Sequence, residues 1–197
     1  MNHPIHGNNA LKPDSRFTYA DYKAWPEGER WELIDGVPYS MSPAPRRKHQ
    51  DYLLQLGSLL DRFFAGKPCR PYASPIDVFW SDLDDLDAED TVTQPDLLVV
   101  CDKSKLVDEG LRGAPDFIIE ILSPGTAFKD QTQKRILHEK HGVREYWIVN
   151  PETFETFIYA LRPDGAYDLP RSADIRKPIP VAIFPELKLS IREEDLT

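Results

Sequence analysis

At 197 residues, with 41% hydrophobic and 29% charged side chains, the chain is the size of one globular domain, long enough to bury roughly 70% of its unfolded surface. No apolar run approaches the ~20 residues of a membrane span. The polar start, with Pro4, Gly7 and Pro13, lacks the apolar core of a signal peptide, so a cytoplasmic protein is expected. A net charge of −9 excludes broad, non-specific nucleic-acid binding, which needs clustered cations, but leaves room for a small local basic site.

Residues 1–16 read as a flexible tail ahead of a single domain over 17–197. Thr18 is a cap for a short helix through Trp25, with Pro26 helping to stop it. Trp31 to Tyr39 reads as a hairpin around Asp35-Gly36, because both positions of a tight hairpin turn must tolerate positive φ. Ser42 to Lys48 is a loop with two prolines and three basic residues. From His49 to Phe64, Leu53, Leu56, Leu60 and Phe63 form one helical stripe, closed by Gly66 and Pro68. Tyr72 to Trp80 reads as a strand, with Ile76, Val78 and Trp80 alternating, and the acidic run Ser81 to Asp90 as a solvated loop.

Gln94 to Cys101 and Asp116 to Leu122 read as apolar strands, followed by a turn over Ser123 to Thr126. Asp130 to His141 reads as a helix ended by Gly142. Glu145 to Asn150 and Thr156 to Leu161 read as adjacent strands, and Lys188 to Arg192 as a last edge strand. The aromatic group Tyr146, Trp147, Phe154, Phe157 and Tyr159 is expected to be mostly core, and a Phe154 to Tyr159 edge strand would offer a route to a homodimer. Cys69 and Cys101 stand in different segments without a CxxC pattern and are expected to be reduced.

Chemistry concentrates in the apolar strands. Glu120 interrupts Phe117-Ile118-Ile119-Glu120-Ile121-Leu122, a run that belongs in the middle of a sheet. A buried carboxylate needs a metal, a cation or backbone donors, unless it sits at the wet end of the strand. Asp96 starts the neighbouring run, just after Pro95. Two acids on adjacent strands raise each other's pKa unless a cation joins them, and Mg²⁺ suits such an oxygen pair. Lys134 either pairs with Asp130 one helical turn away or reaches back to the acids to orient water and stabilise phosphate charge. Glu32 points to the face of its hairpin opposite Trp31 and Leu33. Arg46, Arg47, Lys48 and His49 form a basic knot at a helix start, the end where cations are least favoured, which fits a phosphate contact or a solvated loop.

These segments, in order, resemble the Uma-type restriction endonuclease family of bacteria. The likeness lies in Trp31-Glu32-Leu33-Ile34-Asp35-Gly36, Met41-Ser42-Pro43-Ala44-Pro45, Gln94-Pro95-Asp96-Leu97, Glu120-Ile121-Leu122-Ser123-Pro124 and Gly142-Val143-Arg144-Glu145-Tyr146-Trp147-Ile148-Val149. It covers about residues 17–161. That family resembles the PD-(D/E)XK nucleases, which implies a restriction-endonuclease-like α/β fold, a mixed β-sheet flanked by helices, and a divalent metal, Mg²⁺ or Mn²⁺, on two acids. By resemblance, Pro95-Asp96 matches the PD element, Glu120 the second acid and Glu32 the upstream acid. The superfamily's lysine position, two residues past the second acid, is Leu122 here, and Lys134 on the following helix is its replacement.

Two functions follow as expectations. One is a metal-dependent endonuclease acting on DNA, with Asp96 and Glu120 as metal ligands, Lys134 and Glu32 beside them, and Arg46, Arg47, Lys48 and His49 as weak substrate contacts. The other is a non-catalytic interaction or regulatory protein that keeps the nuclease fold, favoured by the acidic surface and by Leu122. Hydrolysis of a smaller phosphate ester is a third option. No membrane partner is expected, and a homodimer is.

Overall fold

The computed structural model describes residues 16–26, 30–41, 46–81, 84–123 and 130–195. The expected tail over residues 1–16 apart from Arg16, most of the Ser42 to Lys48 loop and the turn beyond Ser123 lie outside the described residues.

The hairpin forms where the sequence places it. β1 (Trp31–Ile34) pairs antiparallel with β2 (Val37–Ser40), joined by Asp35 and Gly36 at φ 49° and 72°. Two consecutive left-handed residues give the turn whose twist matches the flanking strands. Around it lie α1 (Tyr19–Lys23), β4 (Asp77–Phe79), β5 (Val92–Thr93), β7 (Leu106–Val107) and β8 (Gly110–Arg112). The first sheet runs β2-β1-β5-β4-β8-β7. The second is built from β3 (Arg70–Ala73), β6 (Leu97–Val100), β9 (Phe117–Ile121), β10 (Glu145–Val149), β11 (Glu155–Ala160) and β12 (Arg171–Asp174). Its order is β12-β11-β10-β9-β6-β3, with β9 and β10 parallel and the other pairs antiparallel. β13 (Ile179–Val181) and β14 (Phe184–Leu189) form a separate ribbon, so the expected last strand starts earlier and borders neither large sheet.

The second sheet is buried on both faces, as its near-continuous apolar strands require. On one face, Leu97, Val99, Phe117, Ile119 and Trp147 pack against Tyr52, Leu56, Leu60 and Phe64 of α2 (Arg47–Phe64) and against the ribbon. On the other, Leu98, Ile118, Tyr146 and Ile148 meet Val78, Trp80 and Leu111 from the first sheet's side and Leu137 of α3 (Arg135–Lys140). A π-helical turn, Asp130–Lys134, leads into α3. Turns of this kind occur often at functional sites.

The structure corrects four expectations. Tyr72 to Trp80 is two strands in different sheets, β3 ending at Ala73 and β4 starting at Asp77, with Ser74 to Ile76 carrying the chain across. Cys69 and Cys101 form a disulfide: the β3–β6 register, Arg70 opposite Val100, continues one pair outward and leaves their Cα atoms 3.9 Å apart. The acidic loop is not fully solvated, since Glu89 is buried and accepts hydrogen bonds from the Ser81 and Thr91 backbone N–H groups at 3.1 and 3.0 Å. β11 is not an edge, because β12 covers it, so pairing with a twin strand there is closed off. Tyr146 and Trp147 are fully buried, and Phe154, Phe157 and Tyr159 pack partly buried beside the core.

Gly36 tests the turn chemistry that fixes β1. A Cβ there would lie 2.8 Å from Arg16 Cβ, and φ of 72° is unfavourable for any L side chain. Gly36→Ala is therefore expected to lower stability by about 1–3 kcal/mol, measured by urea unfolding against the wild type.

Candidate active site

β1, the entry to β6, β9 and the π turn converge on one buried ion cluster. Glu32 of β1 is completely buried, and Glu120 of β9 and Lys134 at the end of the π turn nearly so. The Lys134 ammonium lies 2.9 Å from Glu32 Oε1 and donates to Glu120 Oε1 at 2.7 Å. Glu120 faces this cluster because alternation along β9 turns it to the side of Ile118 and Leu122, toward α3. Glu32 comes from the other sheet, so Lys134 ties both sheets to one helix. Of the two readings of Lys134, contact with the acids is the observed one; the Asp130 side chain lies outside the described residues.

Asp96 sits one step away. The β6–β9 register, Leu97 opposite Ile119, extended by one pair, sets Asp96 across from Glu120. Its Oδ2 accepts the Ile121 N–H at 2.8 Å and lies 3.1 Å from His49 Nε2. Asp96 keeps 16% of its side chain accessible, so it stands nearer the open end than the two glutamates. The structure thus places Glu32, Glu120 and Lys134 in contact, with Asp96 beside them on the Ile121 backbone and His49 behind Asp96. The other basic residues of the α2 start point outward: Arg47 pairs with Asp51 at 2.8 Å, Lys48 with Glu152 at 3.2 Å, and Arg46 is exposed.

Two further residues support the cluster. The Gln94 N–H donates to Glu32 Oε1 at 2.9 Å. The Gln94 carboxamide accepts from Arg30 Nη2 at 2.7 Å and donates to Asp77 Oδ1 at 2.8 Å, which fixes the chain just before Pro95. Burial pushes the Asp77 carboxyl up, against the hydrogen bonds from Gln94 and Tyr19. His138, one turn after Lys134, is fully buried, stacks on Trp80 with centroids 5.1 Å apart and meets Tyr146 edge-on at 4.5 Å. Burial lowers its pKa well below the ordinary histidine value, and the Lys134 charge pushes the same way. The sequence carried a signal for each: Gln94 adjoins the Pro95-Asp96 motif, and His138 lies four residues after Lys134, on the same helical face.

Oxygen atoms of Glu32, Glu120 and Asp96 are the groups here that suit a hard cation. Among the described residues, no three acid, histidine or cysteine side chains converge as a ready metal cage.

Comparison with known proteins shows the family and the fold. The profile of the Uma2 family, described as "Putative restriction endonuclease", matches residues 19–192. The chain belongs to the Uma2 family. The 1.96 Å crystal structure of a putative nuclease belonging to DUF820 from Anabaena variabilis ATCC 29413 superposes with a TM-score of 0.70 at 23% identity, over 91% of this chain and 97% of that one. The restriction-endonuclease-like α/β fold read from the sequence is thus the Uma2 fold. No curated protein matches the chain, and among the described residues no helix is long and apolar enough to cross a membrane.

Two measurements probe the cluster. Lys134→Met leaves two buried carboxylates without their shared cation, and is expected to cost about 3–5 kcal/mol at pH 7 in denaturant unfolding. His138 supplies a pH signature. Its folded pKa is depressed, so as pH falls through 6.5 the unfolded chain takes up a proton that the folded chain refuses. Stability present above pH 6.5 is lost below it. The charged groups acting on the ring are Lys134, Glu32 and His141. Between pH 7.5 and 5.5 the wild type should lose more stability than His138→Gln, measured by urea unfolding at each pH.

Proposed function

We propose that this protein is a metal-dependent endonuclease that hydrolyses phosphodiester bonds in DNA, with Mg²⁺ or Mn²⁺ held by Asp96 and Glu120. The observation that carries the reading is the buried Lys134 ammonium shared by Glu32 and Glu120, with Asp96 paired across from Glu120 at the strand mouth. The donor set fits the metal. It is all carboxylate oxygen, one of its members, Glu120, already faces a positive charge, and Mg²⁺ binds through one or two carboxylates while keeping several waters. A divalent ion bound there would acidify a water and offset charge growing on phosphorus.

The remaining parts of the chemistry fall to the chain itself. His49 and the Ile121 N–H fix the Asp96 carboxylate, and the Gln94 N–H fixes Glu32. Lys134 brings a positive charge that can be shared between the acids and the phosphoryl oxygens of an incoming strand. Arg46, Arg47 and Lys48 stand at the accessible end of α2. The exposed Arg47–Asp51 and Lys48–Glu152 pairs are worth only ~0–1 kcal/mol, so a phosphate can replace the acids at little cost. The acidic net charge of −9 points to weak DNA affinity and a steep loss of binding with salt.

Two observations favour a second reading, an interaction protein that retains the fold. Lys134 satisfies both glutamates without a metal, and Leu122 stands where the superfamily carries its lysine.

Nicking of supercoiled plasmid by purified protein separates the two. With Mg²⁺ or Mn²⁺ the wild type is expected to nick DNA slowly and without strong sequence preference, whereas Asp96→Asn should be inactive. Asn keeps an acceptor for the Ile121 N–H, so its stability should stay within about 1–1.5 kcal/mol of wild type. Equal nicking by both preparations would mark the activity as a contaminant and give the interaction reading the lead.

A further inference from the structure

Tyr39 adjoins the ion cluster, yet none of the chemistry assigned to the cluster uses it. The hairpin register sets Tyr39 directly across from Glu32. Residues directly opposite on an antiparallel pair project to the same face, with Cβ atoms about 5 Å apart. Tyr39 therefore shares the face of the hairpin on which Glu32 meets Lys134. From the other direction comes Gln133, the residue before Lys134 in the π turn. Its Nε2–H donates to the Tyr39 hydroxyl oxygen at 2.9 Å. Tyr39 is thus joined to both elements that carry the Glu32–Lys134 contact.

Depth distinguishes Tyr39 from the ions. Glu32 is completely buried and Lys134 nearly so, whereas Tyr39 is half-buried on β2, the outermost strand of the first sheet. A ligand that approaches from the hairpin side meets the phenol before the carboxylates. The hydroxyl brings a hydrogen bond without a charge, so it can serve an anion and leave the balance of one ammonium and two glutamates as it is. A phenol accepts and donates at once, so the Gln133 amide can hold the oxygen while the hydrogen goes to an anionic acceptor. With a net charge of −9 the chain has few clustered cations to hold a phosphate backbone, which gives neutral donors more of that task.

We propose that Tyr39 is a substrate-binding residue whose hydroxyl donates to a phosphoryl oxygen of the phosphate next to the scissile one. This inference rests on the nuclease reading above. The neighbouring phosphate is assigned because the order of neighbours runs from Tyr39 to Glu32, Lys134, Glu120 and Asp96, and the reacting phosphate belongs at the Asp96–Glu120 end. A contact of this kind fixes the position of a strand and reads no bases.

Steady-state kinetics of the whole chain, as wild type and Tyr39→Phe, are measured with Mn²⁺ on two substrates. Supercoiled plasmid carries a phosphate on each side of every scissile one. Bis(p-nitrophenyl) phosphate has a scissile phosphate and no neighbour. Tyr39→Phe keeps the ring and removes the hydroxyl. On plasmid its kcat/KM should fall roughly ten- to a hundredfold, the loss that follows removal of a hydrogen bond to a charged group. On the small ester it should be unchanged. A residue that only ties the π turn to the hairpin would lower both rates together, because it would disturb the cluster itself. Unchanged plasmid kinetics in Tyr39→Phe, or an equal loss on both substrates, overturns the phosphate contact and leaves the nuclease reading standing. A wild type that cleaves neither substrate overturns both.

Discussion

The ammonium of Lys134, buried between Glu32 and Glu120, is the interaction on which the arrangement of the molecule turns. Each acid comes from a different sheet, and the cation from a helix packed against both. Neither acid could stay ionised there alone, because an isolated buried charge costs several kcal/mol and two like charges cost more. The three groups therefore require one another. The fold must bring β1, β9 and the π turn to one place before any of them is tolerated in the interior.

The surroundings show how this position is enforced. The main-chain register of β6 against β9 puts Asp96 opposite Glu120, and the Ile121 N–H takes the Asp96 carboxylate. Gln94, braced by Arg30 and Asp77, gives its N–H to Glu32. The backbone N–H groups of Ile121 and Gln94 thus hold Asp96 and Glu32 from behind, and Lys134 joins Glu32 to Glu120 from the end of a five-residue π turn.

Much of this was legible in the sequence, for identifiable reasons. Glu120 stood out because a carboxylate in an apolar run has few permitted environments, and Asp35-Gly36 because two left-handed residues have few alternatives. The Tyr72 to Trp80 segment misled because its alternating residues, Ile76, Val78 and Trp80, all follow Pro75, while Tyr72 belongs to a strand of the other sheet. The Cys69–Cys101 bridge was hidden because pairing across a ladder depends on register, which no local pattern reveals. β12, Arg171-Ser172-Ala173-Asp174, carries no apolar alternation, so nothing in its composition announced the strand that covers β11. At the site, identities could be read but partnerships could not. His49 lay in a basic run and its position pointed to phosphate or a solvated loop, and no local pattern announced that its Nε2 lies 3.1 Å from Asp96 Oδ2.

The two margins of the second sheet have a consequence for how the protein behaves in a crowded solution. β3, at one margin, contains Pro71, which offers no N–H, and is tied at its end by the Cys69–Cys101 bridge. β12, at the other, is four residues long and bears Arg171 and Asp174 at its ends. A growing β-assembly needs a long, donor-complete and uncharged border on which to lay the next strand. Neither margin supplies one. The most apolar strands of the molecule, β6, β9 and β10, are thus interior strands of a sheet that ends in chemistry hostile to further addition.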